Sequence, residues 1–163
     1  GGLGGDKTPM ALTRLARTVA EAKPDAILLF FGANDAVIGR GRWRDEPLVS
    51  PDAYRDNLVW MVHFCRLKTS VRKFSIAPPT GRMEGVPATE FGDVRAPYLQ
   101  AARDAADRAD AVFVPLDEAF DAVRAGLHPD ERGCMLTEDG IHPNTRGAQL
   151  IADTLLKYWN LDR

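Results

Sequence analysis

Asp139 and His142 form the most promising chemical pair in this chain, because they lie three residues apart in the segment Asp-Gly-Ile-His-Pro. A carboxylate on one imidazole nitrogen fixes the tautomer, so the other nitrogen can accept a proton from a hydroxyl group. These two residue types therefore suit the general base of an acyl-transfer reaction. The alternative is a polar turn before the last helix, with Asn144 as N-cap and His142 exposed.

Asn34 is the second candidate, because it follows an apolar run. Residues 26–31 read Ala-Ile-Leu-Leu-Phe-Phe, which predicts a strand covered on both faces in a parallel sheet. An amide at the carboxyl end of such a strand can stabilise an oxygen that becomes negative in a tetrahedral intermediate. Asn34 could instead make a local turn bond. We expect Asp35 to hold this turn through backbone hydrogen bonds rather than to react.

The chain opens with Gly-Gly-Leu-Gly-Gly, which does not match the G-x-G-x-x-G spacing of a phosphate-binding loop. A glycine here could instead present its backbone N–H to an oxyanion, because no side chain prevents close approach. A glycine-rich turn of this kind normally follows a strand, and no strand precedes it in the sequence. We therefore expect the natural amino-terminal part to be lacking.

No serine has a sequence context typical of a nucleophile. Ser50 is predicted as a helix N-cap, Ser70 as part of a helix–strand connection and Ser75 as a mid-strand residue. His63 falls within a predicted helix and His128 in a Leu-His-Pro loop, so neither is expected to be catalytic. The spacing of His, Asp and Glu does not match a metal site, so we predict no metal and no cofactor.

Strand and helix patterns alternate along the whole chain. Helices are predicted over residues 9–22, from 50 onward, 94–109, 118–125 and 145–159, and strands over residues 26–31, 72–77 and 111–116. Thr8 is predicted to cap the first helix, and the loops at 40–49 and 80–93 to border a pocket. The apolar positions predicted for the first two helices are Leu12, Leu15, Ala16 and Val19, and Tyr54, Leu58, Met61, Val62 and Cys65. The alternation favours a three-layer α/β/α domain with a parallel sheet.

The length, charge balance and cysteine content of the chain indicate which partners and compartment to expect. A chain of 163 residues is expected to form one domain. Its 21 basic and 23 acidic residues give no patch for nucleic acid or an anionic membrane, so a small-molecule partner is expected. The longest apolar run is far shorter than the roughly 20 residues that span a bilayer. Cys65 and Cys134 are predicted to be buried thiols, which favours a reducing, cytoplasmic compartment.

Taken together, the segments resemble the SGNH or GDSL family of serine esterases and lipases, which is named after a serine, a glycine, an asparagine and a histidine in separate sequence blocks. The Gly-Gly-Asp segment resembles the second block and implies Gly5 as an oxyanion donor. The Gly-Ala-Asn-Asp segment resembles the third and implies Asn34. The Asp-Gly-Ile-His-Pro segment resembles the last and implies His142 as the base and Asp139 as its orienting acid.

The family resemblance implies a flavodoxin-like fold and carboxylic ester hydrolysis through an acyl-enzyme. Further similarities around Tyr54 and the Pro-Pro segment at residues 78–79 are closest to the isoamyl acetate-hydrolysing esterases, which implies small or short-chain esters as substrates. The family's first block, Gly-Asp-Ser, is absent. The resemblance thus implies that the nucleophile and a central strand lie outside these residues, and that the segment alone lacks normal turnover.

Two other functions stay open on the sequence alone. One is a ligand-binding relative that has lost its nucleophile, although such a protein has no need of Asp139, His142, Asn34 and Gly5 together. The other is an acyltransferase, in which an alcohol rather than water accepts the acyl group. The sequence does not indicate an oligomeric state.

Overall fold

The computed structural model describes residues 2–36, 48–80, 95–126 and 135–160. Within these ranges the elements are α1 (Thr8–Ala22), β1 (Ala26–Phe30), α2 (Pro51–Lys68), β2 (Lys73–Ala77), α3 (Ala96–Arg108), β3 (Val112–Phe113), α4 (Leu116–Ala125) and α5 (Thr145–Tyr158). Most of the loops predicted to border a pocket, together with His128 and Cys134, lie outside the described residues. None of the described helices has the length and apolarity needed to cross a membrane.

The described strands form a parallel sheet in the order β1-β2-β3. Ala26 lies beside Lys73, and Ser75 lies beside Val112. Neighbouring parallel strands need a crossover connection, and α2 and α3 provide the two crossovers. Both helices pack on the same face of the sheet, as successive right-handed crossovers in one direction require.

The two faces of the sheet are covered by different helices, as the alternation of side chains along a strand dictates. One face, which includes Leu29, Phe74 and Ile76, packs with α1, α2 and α3 in the larger core cluster. On the other face, Leu28 and Ala77 share a smaller cluster with residues of α5. This arrangement confirms the predicted α/β/α fold with a parallel sheet.

Helix α2 forms as the sequence predicts. The Ser50 hydroxyl accepts a hydrogen bond of 3.2 Å from the backbone N–H of Ala53, which satisfies one of the free donors at the helix start. Asp52 in the first turn and two basic residues in the last turn complement the helix dipole. All five apolar residues predicted for this helix are buried.

Helix α1 differs from the prediction at its start. Its N-cap is Lys7, and the predicted cap, Thr8, is the first helical residue. The Thr8 hydroxyl does not cap the helix because it donates to the carboxylate of Asp35, 27 residues away. Ala16 was predicted on the apolar face but is exposed, and Ala11 is buried instead.

Strand β1 is less covered than its apolar sequence predicts. In the described part of the sheet it pairs on one side only, with β2. Leu29 is buried, while Phe30 is 39% exposed. A strand edge without a partner presents a row of backbone N–H and C=O groups that can pair with a further strand.

Candidate active site

Asp139 and His142 lie together in a tightly bonded loop before α5. The Asp139 Oδ1 atom accepts hydrogen bonds from the backbone N–H groups of Ile141 (3.0 Å) and His142 (2.9 Å). The backbone N–H of Glu138 donates to the carbonyl of His142 at 2.8 Å, and Gly140 supplies a positive φ of 91° at the turn. The loop therefore holds the acid and the imidazole in one rigid unit.

The two side chains are hydrogen-bonded to each other. The Nδ1 atom of His142 lies 2.7 Å from Oδ2 of Asp139. Three hydrogen bonds to Asp139, from the backbone of His142, its ring and the backbone of Ile141, hold the pKa of the carboxyl group well below its usual range. Because an ionised carboxylate only accepts, Nδ1 carries the proton in the neutral imidazole, and Nε2 is then left as the acceptor. That is the tautomer a general base needs.

Asn144 and Gly147 join this loop to α5. Asn144 is the N-cap of α5, the role that the alternative interpretation of this segment gives it, and its Oδ1 accepts from the backbone of Arg146 and Gly147. Its Nδ2 donates to the carbonyls of Met135 (2.9 Å) and Thr137 (3.2 Å). All four bonds use one side chain, so the position of α5 sets the position of the His142 loop.

Asn34 lies in the turn that follows β1, but its bond is not local. Its Nδ2 donates to the backbone carbonyl of Asp6 at 3.0 Å, 28 residues away. A carboxamide nitrogen has two N–H groups. The bond to Asp6 fixes the orientation of the amide, and its second N–H can serve a bound oxygen.

Gly5 lies in the turn before α1 with a φ of 79°, which favours glycine. The next residue, Asp6, accepts two hydrogen bonds from the guanidinium of Arg14, on α1, at its carboxylate Oδ2. The N–H of Asp6 donates to the carbonyl of Leu3 at 3.2 Å, which closes the glycine-rich turn. The turn is thus attached both to α1 and to Asn34.

Asp35 is fully buried beneath these turns. Its Oδ1 accepts from the backbone N–H of Thr8 at 2.9 Å and from the Thr8 hydroxyl at 2.6 Å. Asn57 donates to the same hydroxyl at 3.0 Å. Burial raises the pKa of Asp35, and the hydrogen bonds from Thr8 oppose that rise. Asp35 therefore joins the turn after β1 to the start of α1, a longer-range role than the local one expected from the sequence.

A cleft of about 570 Å³ brings the predicted residues together at the carboxyl end of β1. Its lining includes Gly5, Asn34 and His142. Asp139 does not line the cleft but is hydrogen-bonded to His142, which does. The other described residues that line the cleft are Gly2, Leu3, Gly4, Asp6, Arg14, Phe30, Phe31, Gly32, Ala33, Pro79, Thr80, Arg95, Ile141 and Pro143. Sequence reasoning missed Arg14 and Arg95, whereas Thr80 is the first residue of the 80–93 loop that was predicted to border a pocket.

Ser50, Ser70 and Ser75 do not line this cleft. Ser50 caps α2, Ser70 is an exposed residue after that helix, and Ser75 accepts from the indole of Trp159 at 2.6 Å. These are the structural roles that the sequence predicts. Among the lining residues in the described ranges, Thr80 alone carries a hydroxyl group. In the same ranges, no group of three or more His, Cys, Asp or Glu side chains could hold a metal ion.

Solved structures with the same fold are numerous. A protein named as a GDSL-like lipase from Parabacteroides merdae superposes with a TM-score of 0.82 at 18% identity, covering 99% of this chain and 72% of the other. An α/β hydrolase from the metagenome of Lake Arreo gives 0.74 at 26% identity over 98% and 71% of the two chains. An acetylxylan esterase from Geobacillus stearothermophilus gives 0.72 at 23% identity over 97% and 69%.

A search of curated proteins returned no significant match. The sequence model described as the GDSL-like lipase/acylhydrolase family matches residues 1–150, which include every candidate residue of the cleft. Together with the α/β/α fold, this match shows that the chain belongs to the GDSL-like lipase/acylhydrolase family.

Proposed function

We propose that this chain carries most of the active site of a serine-type carboxylic ester hydrolase that acts on small or short-chain esters. His142 is the general base, Asp139 orients it, and Gly5 and Asn34 stabilise the oxyanion. The observation that carries the proposal is the 2.7 Å hydrogen bond from His142 Nδ1 to Asp139, in a cleft that Gly5 and Asn34 also line.

The chemistry follows from these positions. The Nε2 atom of His142 takes the proton of a serine hydroxyl as its oxygen attacks the ester carbonyl, and the Asp139 carboxylate stabilises the imidazolium that forms. The Gly5 N–H and the second N–H of Asn34 stabilise the negative oxygen of the tetrahedral intermediate. His142 then returns the proton to the departing alcohol, which leaves an acyl-serine. Water, activated by the same nitrogen, releases the acid.

We propose that the serine lies outside residues 1–163, on a strand that pairs with the free side of β1. Two features support this. In the described part of the sheet β1 has a partner on one side only, and its other edge and the partly exposed Phe30 lie at the cleft, where an added strand would end. In addition, the three serines of this chain have ordinary structural positions that do not line the cleft. They are Ser50, which caps α2, Ser70, which is exposed after that helix, and Ser75, which accepts a hydrogen bond from Trp159.

The cleft supports a small ester as substrate. A volume of about 570 Å³ lies within the range of roughly 300–1,000 Å³ typical of small-molecule sites. Phe30, Phe31 and Pro79 provide apolar surface for an acyl or alkyl group. The side chain of His142 is 75% exposed, so water can reach the nitrogen that would activate it.

A fluorophosphonate probe, read by intact mass, tests the proposal directly. The probe is applied to residues 1–163 and to the natural protein extended upstream. We expect labelling only of the extended form, and loss of that labelling in His142→Ala. Ser50→Ala is the control, because this serine caps α2 and does not line the cleft, so its loss should leave labelling intact.

Two outcomes would contradict the proposal. If neither form is labelled while both are folded, a ligand-binding protein without a nucleophile explains the site better. If residues 1–163 are labelled by themselves and Thr80→Val removes the label, the nucleophile is the cleft threonine rather than an external serine.

A further inference from the structure

Asp6 contacts both parts of the proposed oxyanion site. Its backbone adjoins Gly5, and its carbonyl accepts the 3.0 Å hydrogen bond from the Asn34 side chain. The two oxyanion donors are 29 positions apart in sequence, and Asp6 connects them in the fold. Any movement of Asp6 must therefore change the distance between them.

The carboxylate of Asp6 is held by Arg14. Both Nε, at 2.9 Å, and Nη2 of the guanidinium donate to its Oδ2. The side chains are only 14% and 16% exposed, so solvent screens this pair less than a surface ion pair. Arg14 also donates from Nη1 to the Thr18 hydroxyl at 3.3 Å, one turn further along α1. The pair thus fastens the glycine-rich turn to a helix of the core.

We infer that Asp6 is a positioning residue that sets the separation of the oxyanion donors Gly5 and Asn34, with Arg14 as its anchor. This inference rests on the proposed function, because it concerns the same oxyanion site. A planar guanidinium presents donors in a fixed fork, whereas a lysine offers one mobile charge. Arg14→Lys should therefore keep the charge of the pair and lose part of its geometry.

The test is steady-state kinetics of the extended natural protein with p-nitrophenyl acetate. Arg14→Gln should lower kcat about tenfold to a hundredfold, since misplacing a catalytic group by about 1 Å can cost about 10²-fold. Asp6→Asn loses the charge but keeps an acceptor oxygen for Arg14, so it should lower kcat by a smaller factor. KM should stay unchanged, because neither side chain is proposed to bind the substrate. Arg14→Lys should give an intermediate kcat. The double variant should be no slower than the slower single variant, because both changes break the same contact.

Glu118→Gln is the matched control. It breaks the Arg103–Glu118 ion pair, which has a similar length of 2.8 Å but exposed side chains, and it should not change kcat. A second readout does not depend on turnover. The side-chain NH₂ resonances of Asn34 should shift in Asp6→Asn and stay in place in Glu118→Gln. If Asp6→Asn does not fold, Arg14→Lys decides the question.

Failure of this inference and failure of the proposed function give different results. If His142→Ala abolishes hydrolysis while Asp6→Asn keeps full kcat, the role of Asp6 is refuted and the proposed function stands. A rise in KM at constant kcat would also refute the positioning role, because it would mean that Asp6 or Arg14 binds the substrate. If His142→Ala retains hydrolysis, the proposed function itself is wrong.

Discussion

Replacing Gly147 with alanine should displace the loop that carries His142. An ideal Cβ at this position would lie 2.0 Å from the carbonyl oxygen of Leu136 and 3.2 Å from Cβ of Pro143. Ordinary C···O contacts are about 3.3–3.6 Å, so the helix and the loop must separate by about 1.3 Å or more. The carbonyl of Leu136 also accepts from the N–H of Asn144 at 3.0 Å, so this bond is strained by the same movement.

The size of the effect follows from three contributions. Overpacking costs about 1–3 kcal/mol, and loss of one hydrogen bond costs about 1 kcal/mol. The higher helix propensity of alanine offsets about 1 kcal/mol of this loss of stability. We therefore expect Gly147→Ala to lower the free energy of unfolding by about 1–3 kcal/mol, and Tm by about 2–4 °C for each kcal/mol in a chain of this size.

Urea unfolding measures the change in stability, and NMR of the His142 ring reports movement of the loop. Gly126→Ala is the matched control, because its φ of −78° suits alanine and, among the described residues, its Cβ would meet no atom closer than 3.6 Å. Unchanged stability of Gly147→Ala, with the His142 signals in place, would refute the claim that this glycine sets the loop position.

The other predictions concern the remaining polar residues of the site. In a form extended upstream to include the proposed serine, Asp139→Asn should lower kcat by about 10³–10⁴-fold, because the amide favours the wrong tautomer of His142; a small loss of kcat would contradict the proposed dyad. Since the pKa of Asp139 is lowered by its hydrogen bonds, these bonds stabilise the loop above the ordinary pKa near 3.9 and are lost only as the pH falls through the folded value. An NMR titration that follows the carboxyl carbon of Asp139 should therefore find its midpoint below the ordinary value. Asn34→Ala should lower kcat about 10²–10³-fold, as expected for loss of one oxyanion donor, and should cost about 1 kcal/mol of unfolding free energy for the lost bond to Asp6. Asp35→Ala should cost about 1–3 kcal/mol of unfolding free energy for each Thr8 donor left unpaired, while Asp35→Asn keeps an acceptor oxygen and costs less; equal losses in urea unfolding would disprove this reasoning. Burial raises the pKa of Asp35 in the folded protein. The contribution of Asp35 to stability is therefore greatest at acid pH and declines as the pH rises from the ordinary pKa to the raised pKa of the folded state. The stability of Asp35→Asn relative to wild type should accordingly improve as the pH rises.

The elements that could be predicted from the sequence are those whose signals are local. Ser50 and the helical spacing after it predict α2 together with its buried face, and Asn144 predicts the start of α5. The family segments likewise place His142 and Asn34 at one cleft. In each case the information lies within a few neighbouring residues.

The contacts that could not be predicted join distant segments. Nothing near Thr8 indicates that its hydroxyl binds Asp35, so the residue was wrongly predicted as a cap. The ion pair of Asp6 with Arg14 spans eight residues across a turn whose geometry depends on glycine. Gly147 did carry a usable signal, because glycine is unfavourable within a helix unless close packing requires it.

The dyad and the oxyanion donors differ in how much of the fold each needs. Asp139 and His142 are three residues apart, and their loop closes through nearby backbone bonds, whereas the bond between Asn34 and Asp6 needs α1 docked on the sheet. Contacts between neighbours in sequence carry a small loop-closure cost, and contacts between distant residues carry a larger one. On gradual denaturation, the oxyanion site should therefore come apart first. An intact histidine–carboxylate pair would then persist in molecules that have already lost the ability to stabilise a tetrahedral intermediate.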